Sequence, residues 1–452
     1  MSSDESPGYV RDTIVAPSTP PGTGGIAIVR LSGPDVPRIA RAMLGRLPEA
    51  RVATLCKFRD THEIPLDTGI ALYFPAPDSF TGEDVLELHG HGGPVVVASI
   101  VEAAVGTGAR RAIAGEFTKR AFLNDKLDLV QAEAIADLIG SATRQAARAA
   151  LRSLSGRFSS AVADLQERLV RLRMHVEAAI DFPEEEIDFL SEPDLDKAIE
   201  DCGTALAALR REAGAGRILR DGYRMVIIGR PNAGKSSLLN RLSGQDAAIV
   251  TEVAGTTRDI LREMIDIEGL AVELVDTAGL RDDPDRIEAE GIRRAREAIR
   301  SADAVLWVQD AVTGDRTLPV SDAAELPDGI PTLVLRNKID LSGEPPGLVD
   351  GVVNISAGTG AGIDALRAMI RNLAGHGDLG EGAFTARRRH VEALERAAGH
   401  YQAGVAALHE RRAGELLAEE LRLAHQALGE ITGTYTSDDL LGRIFAEFCI
   451  GK

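Results

Sequence analysis

Cysteine is scarce in this chain. Its 452 residues hold three, Cys56, Cys202 and Cys449, far apart and without metal-ligand spacing. That excludes a disulfide framework and points to a reducing compartment. Long apolar runs and a signal-peptide pattern are also lacking, so a membrane span is not expected and a cytoplasmic location is. Positive charge is short as well: Lys+Arg 51 against Asp+Glu 69 leaves a net charge of -18. A sequence-independent nucleic-acid binder is normally basic, because phosphate neutralisation supplies most of that affinity. Any contact with nucleic acid must therefore use a local patch or a partner. Internal repeats and low-complexity tracts are missing too. Hydrophobic content of 44% and charged content of 27% are those of an ordinary globular protein, and the length suggests two to four domains.

The most informative stretch runs from Gly229 to Ser236, Gly-Arg-Pro-Asn-Ala-Gly-Lys-Ser. It follows the apolar run Met225–Ile228 and precedes an apolar-periodic run from Leu238. Strand, glycine-flanked loop and helix are the context a phosphate-binding P-loop requires. Its backbone N–H groups turn toward phosphate oxygens, and the helix presents its positive end. Lys235 is placed to reach the terminal phosphates, and the Ser236 hydroxyl to hold magnesium. Asp276-Thr277-Ala278-Gly279 closes another strand, where a carboxylate can hold magnesium through water and the glycine N–H faces the last phosphate. Asn337-Lys338-Ile339-Asp340 ends a third. An ionised aspartate accepts two parallel N–H bonds from guanine and finds no such pair on adenine, so the ligand is read as GTP. Gly255 to Asp259 is the expected switch, and the sequence leaves open which of Thr256 and Thr257 binds the metal. Leu280 occupies the place of the water-orienting glutamine of Ras-like enzymes. Either catalysis is poor or another group does that work, and Asp282, Asp283, Asp285, Glu288 and Glu290 follow closely as acidic candidates.

Around this core the chain divides by texture. Residues 1–120 read as a small α+β domain, with a strand at Ile26–Leu31, a helix at Val36–Leu44, strands at Gly69–Phe74 and Val85–Leu88, and a helix from Pro94. Residues 121–216 read as helical. Leu154, Phe158, Val162, Leu165, Leu169, Leu172 and Val176 form one stripe, and a second helix runs from Asp194 to Ala213, closing at Gly214–Gly216. Residues 217–377 alternate strand and helix as a mostly parallel sheet covered on both faces. Residues 378–452 are helical again. The economical arrangement is one discontinuous helical domain with a Ras-like P-loop G domain inserted; two separate helical domains are the alternative.

Several further motifs converge. Gly115 to Asn124 (GEFTKRAFLN), Lys126–Leu129 (KLDL), Gln131-Ala132-Glu133, Ser79–Asp84 (SFTGED), His89–Pro94 (HGHGGP), the Gly255–Asp259 switch and the terminal Cys449-Ile450-Gly451-Lys452 resemble the MnmE (TrmE) family of tRNA-modification GTPases across nearly the whole chain. The resemblance implies an N-terminal folate-binding, dimer-forming domain, a discontinuous helical domain and an inserted G domain. It implies a homodimer that works with the flavoprotein MnmG (GidA), in a heterotetramer or larger complex. Together they add carboxymethylaminomethyl or aminomethyl groups at carbon 5 of the wobble uridine in certain tRNAs. For 5-formyl-tetrahydrofolate or a related tetrahydrofolate it implies Arg30, Glu87, Lys126 and Lys452. For magnesium it selects Thr257 beside Ser236. For potassium it selects Asn232, Thr256 and the carbonyls of Thr251 and Val253. Ala233, Gly234 and Ser237 join the nucleotide contacts. Glu288 matches the residue that orients the attacking water, and Cys449 the cysteine linked to modification rather than hydrolysis. Departures are Gly358, where many GTPases carry lysine, and Gln309-Asp310 after a strand. A ribosome-assembly GTPase acting as a switch is the competing reading. Such a protein would usually carry a basic RNA-binding domain, and the basic tract noted here is Arg387-Arg388-Arg389.

Overall fold

A computed structural model describes residues 12–181, 193–245, 262–276, 299–300, 302–313, 330–375, 382–435, 438–446 and 448–451, and all structural statements concern these. The chain divides into two compact units, residues 1–136 with 429–452, and residues 137–428.

The first unit is built on a six-stranded sheet in the order β3-β4-β5-β2-β1-β6. Its strands are β1 (Ile14–Pro17), β2 (Gly24–Ser32), β3 (Thr54–Arg59), β4 (Pro65–Phe74), β5 (Val85–Gly92) and β6 (Arg110–Arg111). Alternation decides the two faces. Val29, Leu31, Leu86 and Leu88 point one way, into a core with Ile39, Met43, Phe58 and Ile100. Helices α1 (Val36–Leu44) and α2 (Pro94–Gly106) supply part of that cover. Arg30, Glu87 and His89 belong to the opposite set, with Arg30 facing Glu87 across the β2–β5 ladder. After β6 come α3 (Glu116–Leu123) and α4 (Leu129–Ile139), and the C-terminal residues Leu441, Ile444, Phe445 and Phe448 pack on Leu129 and Ala132.

The second unit joins helices to a seven-stranded sheet, ordered β12-β13-β11-β10-β7-β9-β8. Its strands are β7 (Tyr223–Ile228), β8 (Arg262–Ile267), β9 (Leu270–Asp276), β10 (Ala304–Asp310), β11 (Thr332–Asn337), β12 (Gly347–Val349) and β13 (Val352–Asn354). The central pairs are parallel, and both edges end in antiparallel strands, β8 on β9 and β12 on β13. The two edge strands carry weaker patterns and were not anticipated from sequence. The P-loop helix is α8 (Lys235–Gln245); α9 (Ile339–Ser342) and α10 (Ile363–Leu373) follow later in the chain.

Two helix boundaries differ from expectation. Leu154 does not lead the long stripe. It ends α5 (Arg144–Leu154), and α6 (Arg157–Asp181) starts after Gly156, whose φ of 88° breaks the helix. The rest of the stripe, Phe158 to Val176, is buried along α6 as its spacing requires. The next helix, α7 (Pro193–Asp221), does not close at Gly214–Gly216 but runs on to Asp221. Gly216 is there for proximity: a Cβ on it would lie 2.4 Å from the Phe384 carbonyl oxygen. The segment around Phe384 returns from the sheet and is held by helices that precede it. Phe384 stacks on Phe158 at 4.4 Å, and the Thr385 amide donates to Ser153 Oγ at 3.0 Å. Asp137 accepts from Arg220 and from Arg387, each at 2.8 Å. Both strands of chain that connect helices and sheet are thus tied to one buried carboxylate. Of the remaining helices, α11 (Arg388–Arg411) lies in this unit, α12 (Gly414–Thr432) begins in it, and α13 (Asp438–Ala446) belongs to the first. No described helix is long and apolar enough to cross a membrane.

Candidate nucleotide site and N-terminal cluster

The P-loop emerges from β7 and turns into α8. Asn232 adopts φ 64° and Gly234 φ 91°, the left-handed backbone that folds successive N–H groups inward. A Cβ at Gly234 would sit 2.2 Å from Asn337 Nδ2, so only glycine lets Asn337 approach this closely. Lys235 is buried, and its ammonium donates to the carbonyls of Gly229 (2.8 Å) and Arg230 (3.0 Å), spanning the loop. Ser236 and Ser237 are exposed at the start of α8. This is a cradle of amides, one lysine and two hydroxyls at a positive helix end, which fits a phosphate chain.

Asn337, at the end of β11, is 2% exposed and holds two loops together. Its Nδ2 donates to the Ala233 carbonyl at 2.9 Å, and its Oδ1 accepts from the Ala357 amide at 2.9 Å. Asp340 is exposed, and one carboxylate oxygen accepts from Ser356 Oγ at 2.6 Å. That bond fixes the carboxylate while leaving acceptor capacity for the edge of a base. Lys338 lies in left-handed backbone at φ 69° and donates to Asp310 Oδ2 at 2.8 Å. This hydrogen bond from Lys338 is the main reason the Asp310 carboxyl lies below the usual carboxylate range. Asp310, noted in the sequence only as a variation, is therefore the lysine's partner. Arg241 was missed altogether. It donates to the Ala357 carbonyl at 2.9 Å and to that of Gly358, bracing the loop at Gly358. Nothing in its sequence position, mid-helix, signals this.

Thr251, Val253, Thr256, Thr257, Thr277, Ala278, Gly279, Glu288 and Lys452 lie outside the described residues, as does the side chain of Asp276. Among the described residues no group of three or more His, Cys, Asp or Glu side chains is arranged to hold a metal ion.

In the first unit Arg30 and Glu87 meet directly. Arg30 Nε donates to Glu87 Oε1 at 2.9 Å and Nη2 reaches the same oxygen at 2.8 Å. Read singly they look like two surface charges; the β2–β5 register makes them one pair. His89 Nε2 lies 3.2 Å from the other Glu87 oxygen, and Arg30 sits 5.5 Å from the Phe80 ring centre and 5.9 Å from that of Phe117. Lys126 is exposed, its stem beside Gly82. A cleft of about 480 Å³ is lined by Phe122, Leu127 and Asp128 of the same segment and by Thr432, Gly433 and Thr434. The end of the chain lies against the start of the same unit: Ile450 bridges to Ala114, and Ser18 Oγ donates to the Gly451 carbonyl at 3.2 Å. Cys449 is exposed and unbonded to another cysteine, whereas Cys56 and Cys202 are buried. Burial pushes the Cys202 thiol up, which makes it a packing residue.

The junction motif has a structural duty of its own. Arg120, 3% exposed at its side chain, bonds Asp12, Glu83 and Glu116 together. Burial would raise the Glu116 carboxyl, but bonds from Arg110, the Ile113 amide and Arg120 hold it below its ordinary value. Arg110 contributes two bonds to Glu116 and pairs with Asp12 as well.

Comparison with known proteins agrees with this picture. Residues 13–126 match the family described as GTP-binding protein TrmE N-terminus, and residues 129–449 match the MnmE helical domain. A tRNA modification GTPase MnmE from Alkalilimnicola ehrlichii is 56% identical over 447 residues, covering 98% of this chain and 100% of the relative. Another of that name from Thiobacillus denitrificans is 55% identical over 442 residues, with 98% of each covered. Among solved structures, a variant of Era from Aquifex aeolicus bound to GDP and aluminium fluoride is 24% identical over 41% of this chain and 67% of its own, with a TM-score of 0.26. On the two family matches and the full-length identities, the chain belongs to the MnmE family of tRNA modification GTPases.

Proposed function

We propose that this protein is a potassium-activated GTPase. With the flavoprotein MnmG it adds a carboxymethylaminomethyl or aminomethyl group to carbon 5 of the wobble uridine of certain tRNAs, using a tetrahydrofolate one-carbon donor. The observation that carries the nucleotide half is the bridge made by Asn337, which ties the phosphate loop to the loop beside Asp340. A base read by Asp340 and phosphates gripped at Lys235 then belong to one ligand. Lys235, bonded here to loop carbonyls, exchanges those acceptors for phosphate oxygens. Ser236 and Thr257 hold magnesium; Asn232, Thr256 and the carbonyls of Thr251 and Val253 hold potassium. When bound, these ions supply positive charge for the phosphoryl group in transfer, and the folate supplies the one-carbon unit. Glu288 orients the attacking water, a role Leu280 cannot fill.

Support for the modification half comes from the first unit. Arg30, Glu87 and His89 form a polar edge beside the apolar Phe80, a combination suited to a flat heteroaromatic ring with N–H donors. The exposed Lys126 offers a cation for the ligand's carboxylates, with Lys452 as a second. Cys449 sits on the tail that lies against this unit and is available for chemistry. The protein acts as a homodimer in the cytoplasm, with closure of G domains coupling hydrolysis to modification.

Mass spectrometry of wobble uridines from cells lacking the gene tests the whole reading. Loss of the carbon-5 groups is expected. Unchanged nucleosides would replace the reading with that of a ribosome-assembly switch.

A further inference from the structure

The chain is acidic on balance, yet two runs of more than twenty residues hold several cations and no carboxylate. One, Gly222 to Gln245, contains Arg224, Arg230, Lys235 and Arg241 with no carboxylate, and it is the phosphate-binding loop and its helix. The other, Leu138 to Ala163, contains Arg144, Arg148, Arg152 and Arg157, again with no carboxylate, and these four arginines have no part in the sites described above.

In the fold this second run is α5 and the start of α6. Thr143 caps α5, its Oγ1 accepting from the Ala146 amide at 3.1 Å. Ala146, Ala149, Ala150 and Ser153 are buried. The opposite face presents Arg144, Arg148 and Arg152 at four-residue spacing, about 6 Å apart along the axis. Arg144, Arg148 and Arg157 are exposed, and Leu151 among them is 55% exposed. Arg152 donates to the Ala383 carbonyl at 3.0 Å and stays half-buried. None of the four forms an ion pair among the described residues. Neighbouring helices behave otherwise: Arg171 pairs with Glu167, Arg173 with Glu177, Arg388 with Glu392 and Arg422 with Glu419. The α5 row is thus uncompensated cation in a chain of net charge -18.

We infer that the outward face of α5, with Arg144, Arg148 and Arg152, together with Arg157 at the start of α6, is a docking surface for the sugar–phosphate backbone of tRNA. This rests on the proposal that tRNA is the substrate. Guanidinium groups suit phosphate oxygens through paired N–H donors. A row with the rise of a helix can follow successive phosphates along a strand. A net charge of -18 repels a polyanion on balance, so contact is favoured where guanidinium groups are not paired with carboxylates. A lipid surface is disfavoured because the apolar face of α5 is already buried in the protein, leaving no wedge for a bilayer.

The test uses the full-length protein and an unmodified tRNA transcript, with affinity measured by fluorescence anisotropy across a salt series. Arg144→Ala with Arg148→Ala should weaken binding at low salt by about tenfold or more. It should also lower the slope of log affinity against log salt by about two. Alanine favours the helix, and unchanged GTP turnover in the variant reports an intact fold. The paired Arg→Lys variant should keep the wild-type slope. An alanine variant with wild-type affinity and slope overturns the docking surface while leaving the substrate proposal standing. A wild-type protein that binds no tRNA at any salt overturns both.

Discussion

Asn337 Nδ2 donates to the main-chain carbonyl of Ala233 across 2.9 Å, joining the end of β11 to the middle of the P-loop. The bond is buried, and its strength lies in what its loss would leave behind: a carbonyl and, on the other side, the Ala357 amide without partners. Asn337→Ala is expected to weaken GTP and GDP binding alike, by about thirtyfold or more, as two unmet polar groups of at least about 1 kcal/mol each would do. Fluorescent-nucleotide titration measures it. Unaltered affinity for both would show that the two loops hold their places without the bridge.

The proposed potassium dependence can be tested at one residue. Asn232 is exposed in the loop at φ 64°, its side chain free to face a ligand beside the phosphates. GTP turnover should rise when potassium replaces sodium, and Asn232→Ala should remove most of the difference. Equal rates in the two salts for the parent protein would end the cation argument.

Glu288 is proposed as the water-orienting group. Glu288→Ala should lower kcat by about a hundredfold while nucleotide affinity is kept, the pattern of a group that acts in the transition state. A fall in affinity instead would make it a structural residue of the nucleotide site.

For Cys449 the decisive comparison is between two activities. The residue is exposed, so Cys449→Ser should cost little stability, about 0.5 kcal/mol or less. It should leave GTP hydrolysis intact and abolish uridine modification. Persisting modification would reduce Cys449 to a link in the C-terminal tail.

The buried ionic cluster around Arg120 should make stability fall in acid. Glu116 has a folded-state pKa below its ordinary 4.5, despite a burial that alone would raise it, because of Arg110, the Ile113 amide and Arg120. Its contribution is therefore fully present above about pH 4.5 and is lost as the pH falls through the lowered folded value. Glu116→Gln should lower the melting temperature at neutral pH by several degrees and narrow its gap from the parent protein below pH 4.5. Parallel melting curves at all pH values would mean that the carboxylate's charge is not what the cluster uses.

The phosphate loop, the Asn337–Asp340 motif and the main helices were legible in the sequence because each is a local property. Glycine at fixed spacing, a strand before a loop, and apolar residues every three or four positions need no distant partner to be recognised. The α6 stripe from Phe158 to Val176 is buried as its period requires. The α7 boundary was not legible. Gly214 and Gly216 look like a helix stop, and only contact with the Phe384 carbonyl explains a glycine inside a continuing helix. The same holds for Arg30 with Glu87, Lys338 with Asp310, and Asp137 with Arg220 and Arg387. Each pairs residues far apart in the chain, and strand register or helix packing decides which charges meet. By itself the sequence determined the chemistry on offer: a nucleotide's phosphates, guanine, and a helical frame around an α/β sheet. Tertiary structure alone decided which groups neutralise one another and which, like the arginines of α5, are left facing outward. Charge and spacing are written along the chain; compensation exists only between surfaces that folding brings together.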